Sequence, residues 1–333
     1  MNIQIDLRAR QPIREPWSRE RLIHERSMAL ANALDPSTQV TYNSHLQSYL
    51  NFCKIHQFPT DPTADTLSFF IVYMSKHINP RSLSGYLSGI ISRLEPIFPE
   101  VRNNATKPIV RRTLRGCKRL NPQAIKRKRA LDYSDLRKLI DSLTPQASYD
   151  DVLFVTLIVT GFYALMRLGE LVNPDQIAKR SFNKIIRRSS LQITNTQYQF
   201  LLPAHKADRF FEGNTILIQS TNSAPDALPI MQRYTRQRDE LFPNHPQLFL
   251  RHDGTVPARQ FFMQRIKNLL PGDVGGHSMR SGGATALAIA GVPDNRIQAM
   301  GRWSSDAYQQ YIRKHPALLQ ALTTGRAIFD RHP

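Results

Sequence analysis

The chain has 333 residues, with 45 Lys and Arg against 26 Asp and Glu, a net charge of +19. That length fits two domains, each with its own core, and that charge points to a polyanionic partner, nucleic acid before any other. Only Cys53 and Cys117 are present, with no CxxC pattern and no nearby His pair, so neither a disulfide framework nor a zinc site is suggested and a reducing, intracellular compartment is expected. Met1 to Glu20 scatter charge where a signal peptide needs an apolar stretch. The longest apolar run, Val152 to Met166, is too short to span a bilayer, so no membrane is expected as a partner.

In chain order, residues 1–27 are polar and lack apolar periodicity, and are expected to be a mobile N-terminal arm. From Ser37 or Thr38, as cap, Val40, Leu46, Tyr49, Leu50 and Cys53 fall at helical spacing. A second helix follows the Pro59 to Pro62 turn with Leu67, Phe70, Ile71 and Met74. A third starts near Pro80 and carries Leu83, Tyr86, Leu87, Ile90, Ile91 and Leu94, and a fourth carries Ile109, Val110, Leu114 and Cys117. Residues 28–120 therefore read as an all-helical domain.

Between Val101 and Ala130 there is no acidic residue. Arg111, Arg115 and Arg119 recur every four residues on the fourth helix, a basic stripe opposite the apolar one, with Arg112 and Lys118 beside it. Lys126, Arg127, Lys128 and Arg129 follow where helical patterning lapses after Pro122. Residues 121–130 are thus expected to be a basic interdomain linker. Both groups suit a phosphate backbone. The linker cluster also resembles a nuclear localisation signal, so a eukaryotic source would imply the nucleus.

The second domain, residues 131–333, opens with Ser134 as an expected cap for a helix through Leu143, followed by a strongly apolar helix from about Asp151 to Leu165. Ile185 to Thr194, Gln197 to Leu202 and Thr215 to Ile218 alternate or are β-branched, and predict a small antiparallel sheet. Helical patterns return after Ala224. The expected fold class is mainly α, an α+β arrangement with one small sheet.

Cutting a phosphodiester gathers negative charge on phosphate oxygens while the leaving alkoxide needs a proton. An enzyme without a metal must meet both needs with Arg, Lys and His. Gly276-His-Ser-Met-Arg-Ser-Gly-Gly-Ala284 places His277 and Arg280 three apart at the start of a helical pattern, able to address one anion. Gly282 and Gly283 would allow close backbone approach. Gly301-Arg-Trp-Ser-Ser-Asp-Ala-Tyr-Gln-Gln-Tyr-Ile-Arg313 then delivers tyrosines.

This order resembles the catalytic domain of the tyrosine recombinase (phage integrase) family, whose signature is Arg, Lys, His-x-x-Arg, His or Trp, and Tyr. Gly161-Phe-Tyr-Ala-Leu-Met-Arg-Leu-Gly-Glu-Leu171 matches the family's first arginine segment. The resemblance implies Arg167 as phosphate ligand and Glu170 as the residue orienting its neighbours. Leu201-Leu-Pro-Ala-His-Lys-Ala-Asp-Arg-Phe210 resembles its lysine turn, implying Lys206 as general acid, with His205 and Arg209 as alternatives. Trp303 is preferred at the fifth position, although Arg302 keeps the commoner interval to the tyrosine. Tyr311, within Tyr-Ile-Arg, is the implied nucleophile, with Tyr308 the rival.

The resemblance extends to a helical core-binding domain and covers about nine-tenths of the chain in order and type. It implies that the two domains form a clamp on double-stranded DNA. The product would be a 3′-phosphotyrosyl link made without metal or cofactor, and the assembly a homo-tetramer on two recombination sites. The amphipathic stretch with Leu318, Leu319, Leu322 and Ile328 would dock on a neighbouring protomer. Met166-Arg-Leu-Gly-Glu, the His277 segment and Gly301-Arg-Trp look most like the recombinases of eukaryotic, largely fungal, Crypton-type mobile elements. Three other readings stand beside it: a catalytically silent DNA-binding protein, a type IB topoisomerase or telomere resolvase, and a metal-dependent nuclease or transposase. For the last, Asp150, Asp151, Glu170 and Asp175 show no supporting spacing.

Overall fold

A computed structural model describes residues 14–122, 128–205, 212–221, 225–305 and 308–309. The chain divides into two compact units, residues 1–124 and 125–333.

In the first unit the helices are α1 (Arg19–Ala31), α2 (Pro36–His56), α3 (Ala64–Met74), α4 (Leu83–Leu94), α5 (Val101–Thr106) and α6 (Pro108–Leu120). The apolar spacing of α2, α3, α4 and α6 converges on one core of Tyr49, Phe52, Leu67, Phe70, Leu83, Ile90 and Val110. Residues 19–27, within the expected N-terminal arm, are helical. α1 starts at a local cap, where the Arg21 amide donates to Ser18 Oγ at 3.2 Å, and its described side chains are all exposed. Apolar periodicity cannot reveal a helix that buries nothing. The cap of α2 is Asp35 rather than Ser37 or Thr38: its carboxylate accepts from the Ser37 amide at 2.9 Å, and Pro36 at the first helical position has no N–H to satisfy. The third patterned helix begins at Leu83, after a turn at Pro80.

The second unit contains α7 (Tyr133–Asp141), α8 (Tyr149–Tyr163), α9 (Leu168–Leu171), β1 (Gln192–Ile193), β2 (Gln197–Leu202), β3 (Asn214–Gln219), α10 (Leu228–Leu241), α11 (Arg259–Leu269), α12 (Ser278–Ile289) and α13 (Asp294–Met300). α8 is its axis, buried continuously from Val152 to Phe162. Asp132, not Ser134, caps α7, in a reciprocal box with Asp135 that satisfies two amides at 3.0 Å each. The sheet is antiparallel in the order β1-β2-β3. Tyr198 pairs with Ile218 and Phe200 with Ile216, all four on the buried face, and Tyr198 Oη meets Thr160 Oγ1 of α8 at 3.0 Å.

The first expected strand, Ile185 to Thr194, shrinks to Gln192–Ile193. The segment before it runs against residues 245–248 instead. The Arg188 amide donates to Pro246 O and the Leu248 amide to Ile186 O, at 2.9 Å each, while the Arg188 guanidinium grips Asp239 at 2.7 to 3.2 Å. These contacts take backbone groups that a longer β1 would have offered to β2.

Two glycines fix how α12 meets the core. A Cβ on Gly283 would lie 2.0 Å from Phe162 O of α8, and one on Gly282 2.2 Å from Leu131 O. The close approach expected of this pair is therefore backbone against side-chain-free helix, and it seats the start of α12 against the end of α8.

Candidate active site

The site grows from the end of α8. Leu165 takes a left-handed φ of 49°, which breaks the helix and turns the chain so that Arg167 opens α9. Both Arg167 groups address one acid. Its amide donates to Glu170 Oε2 and its Nη1 to Glu170 Oε1, at 2.9 Å each. Glu170 is buried, whereas the Arg167 side chain is 23% exposed and so keeps access to solvent.

Arg302 approaches the same carboxylate from the turn after α13, its Nη2 3.2 Å from Glu170 Oε2. Its Nη1 donates to Ala164 O at 3.3 Å and Met300 O at 3.2 Å. This residue is also left-handed, with φ 54°, and its side chain is 9% exposed. Burial lowers the proton affinity of its guanidinium, Glu170 opposes that effect, and neighbouring Arg167 adds to it.

Arg280, in the first turn of α12, is 1% exposed. Its Nη1 donates to Leu165 O and its Nη2 to Gly301 O, and its guanidinium carbon lies 4.1 Å from the Trp303 ring centroid. Position 301 must be glycine for that ring to fit, since a Cβ there would fall 1.7 Å from Trp303 Cζ3. His277 is the N-cap of α12 and is exposed. The two members of the His-x-x-Arg pair thus share a helix end but differ in exposure, one toward solvent and one enclosed.

Two guanidiniums, Arg167 and Arg302, therefore share one carboxylate, while Arg280 joins the same two segments through Leu165 O and Gly301 O. Both candidates for the fifth position are at the site: Trp303 stacks on Arg280, and Arg302 pairs with Glu170. The Arg302–Glu170 pair is the contact that sequence reading missed. The signal available for Arg302 was its interval to Tyr311, which gives no partner. Tyr308 is 4% exposed with its ring 6.0 Å from Trp303. Lys206, Tyr311, Arg209, Lys126, Arg127 and the stretch around Leu318 to Ile328 lie outside the described residues. His205, the other alternative in the lysine turn, bonds to Asn214 Oδ1 of β3.

The acids weighed as metal ligands are dispersed among other partners. Asp150 accepts from the His252 amide at 2.9 Å and Nδ1 at 3.1 Å, Asp151 pairs with Arg265, and Asp175 accepts from the Gln260 amide. Among the described residues no three His, Cys, Asp or Glu side chains are grouped to hold a metal ion.

On α6, Arg111, Arg112, Arg115, Lys118 and Arg119 are all exposed, while Val110 and Cys117 face the core. None of the five is ion-paired with a carboxylate among the described residues. The linker differs. Lys128 pairs with Asp273, and Arg129 holds Asp135 in two bonds of 2.6 and 3.0 Å and donates to Pro271 O at 3.1 Å. These two charges brace the second unit, which reduces what they can offer a phosphate.

No family profile matches the chain, and no curated protein sequence does. Solved structures do. The XerH site-specific recombinase bound to its palindromic difH substrate superposes with a TM-score of 0.59 at 16% identity, over 85% of this chain and 78% of that one. Lambda integrase, as a dimer bound to a COC′ core site, gives 0.54 at 12% identity, over 87% and 93%. The Tn1549 transposon integrase with circular intermediate DNA gives 0.52 at 14%, over 84% and 98%. At such identities the likeness is one of fold. The chain has the mainly helical tyrosine recombinase fold with its small antiparallel sheet.

Proposed function

We propose that this protein is a tyrosine recombinase that breaks and rejoins double-stranded DNA at specific sites. The observation carrying this reading is the guanidinium cluster at the junction of α8, α9 and α12, on a fold shared with site-specific recombinases that were captured on DNA. In this reading Arg167, Arg280 and His277 bind the scissile phosphate, and Trp303 donates its indole N–H to a phosphate oxygen. Tyr311 gives up its phenolic proton to water and attacks phosphorus through that oxygen. As the new P–O bond forms, the bond to the 5′ oxygen breaks, and Lys206 supplies the proton that oxygen needs. The 3′-phosphotyrosyl link conserves the bond energy, so a 5′ hydroxyl from another strand reverses the attack without ATP or metal. An unperturbed phenol titrates near pH ~10, so nearby cations are what make it a nucleophile at neutral pH.

The exposed basic face of α6, with Arg111, Arg112, Arg115, Lys118 and Arg119, tracks the DNA backbone. Four copies on two sites would complete an exchange, in the manner of a Crypton-type mobile element. The enclosed position of Tyr308 favours Tyr311 as nucleophile.

The test is a nicked suicide substrate that traps cleaved DNA on the protein. A denaturation-resistant adduct should form in EDTA and vanish with Tyr311→Phe, and Arg280→Ala should slow its formation by about 10²- to 10³-fold. Adduct surviving Tyr311→Phe moves the nucleophile to Tyr308. Cleavage abolished by EDTA overturns the reading.

A further inference from the structure

We infer that Arg302 is a positioning residue: by sharing Glu170 it governs how much of the Arg167 charge is left for a bound phosphate. This rests on reading Arg167 as a phosphate ligand. Glu170 has one negative charge and two oxygens, and each oxygen faces a different guanidinium: Oε1 takes Arg167 Nη1, while Oε2 takes Arg302 Nη2 along with the Arg167 amide. In a buried pair the attraction is only weakly screened. Left alone with Arg167, the carboxylate would hold that guanidinium to itself and cancel its charge. Arg302 divides the carboxylate's claim.

Its other bonds make Arg302 a strut. It reaches Ala164 O, three residues before Arg167, and Met300 O at the end of α13, so the two segments that carry Arg167 and Trp303 are fixed to each other. Arg280 crosses the same gap between Leu165 O and Gly301 O. Keeping an arginine at position 302 has clear costs: a left-handed backbone that glycine would adopt without strain, and an enclosed Nε–H with no partner among the described residues. Through its bond to Glu170, Arg302 acts on Arg167, the residue read as the phosphate ligand.

The experiment is single-turnover cleavage of the suicide substrate, with DNA affinity and thermal unfolding measured in parallel. Arg302→Met should slow cleavage about 10- to 100-fold and leave affinity within about threefold, because the loss falls on the charge facing the reacting phosphate rather than on the DNA-tracking surface. Adding Glu170→Gln removes the carboxylate that now claims Arg167, and the double variant should recover at least about tenfold over Arg302→Met, most of the loss expected above. A residue that merely held the fold would give a double variant as slow as the single one or slower. Absence of recovery therefore overturns the inference, whatever the melting temperature of Arg302→Met. Failure of the underlying reading looks different: wild-type protein would form no adduct, or Arg167→Ala would cleave as fast as wild type.

Discussion

At the scale of single residues, the site depends as much on what is missing as on what is present. Gly283 lies where a methyl group would meet the Phe162 carbonyl at 2.0 Å, and that obstacle is backbone, which cannot rotate away. Gly283→Ala should therefore force α12 off α8 and destabilise the protein by about 1–3 kcal/mol or more, read as a lower midpoint in urea. Gly116 is the contrast. It is inside α6 with nothing within 4 Å of its would-be Cβ, so Gly116→Ala should stabilise by roughly 0.5–1 kcal/mol through the unfolded chain. Equal effects from the two substitutions would refute the close-approach argument. The residue types of the site, Arg167, Glu170, His277, Arg280, Arg302 and Trp303, were legible in order along the sequence. Their pairing was not, because Arg302 and Glu170 are joined across 132 positions and the left-handed residue of that turn is Arg302 itself rather than a glycine.

At the scale of elements, periodicity served best where a helix or strand buries one face. α2, α3, α4 and α6 were readable from their apolar spacing, and the β2–β3 hairpin from its alternation, because those patterns are the contacts that stabilise them. It failed for α1, which buries nothing, and for β1, whose β-branched residues follow a neighbouring segment instead of the sheet edge. The basic stripe of α6 yields a measurable consequence. Each arginine on a phosphate releases counterions, so replacing Arg111, Arg115 and Arg119 by Gln should flatten the dependence of log affinity on log salt by roughly 0.9 per residue. It should weaken binding to all sequences alike. An unchanged salt slope would overturn the proposed role of α6 in DNA binding.

At the scale of the whole molecule, two separate cores define two units. The first is built around Tyr49, Phe70 and Ile90, the second around α8 with Phe200, Tyr234 and Phe262. Fragments 1–124 and 125–333 should each unfold cooperatively on their own, because neither unit's main cluster draws residues from the other. A fragment that binds ANS and lacks near-UV dichroism would contradict that independence.

The sequence by itself determined the fold class, most of the helices and the central hairpin, and it named the residues from which the candidate site is proposed. It could do so because apolar periodicity, capping chemistry and a run of cationic side chains are local properties. Tertiary structure alone decided that Arg302 shares a carboxylate with Arg167, that Trp303 stacks on Arg280, and that Lys128 and Arg129 are spent on Asp273 and Asp135. A charge acquires its effect from the groups folding brings near it, and at these distances Coulomb energy outweighs anything the neighbouring residues in the chain can signal.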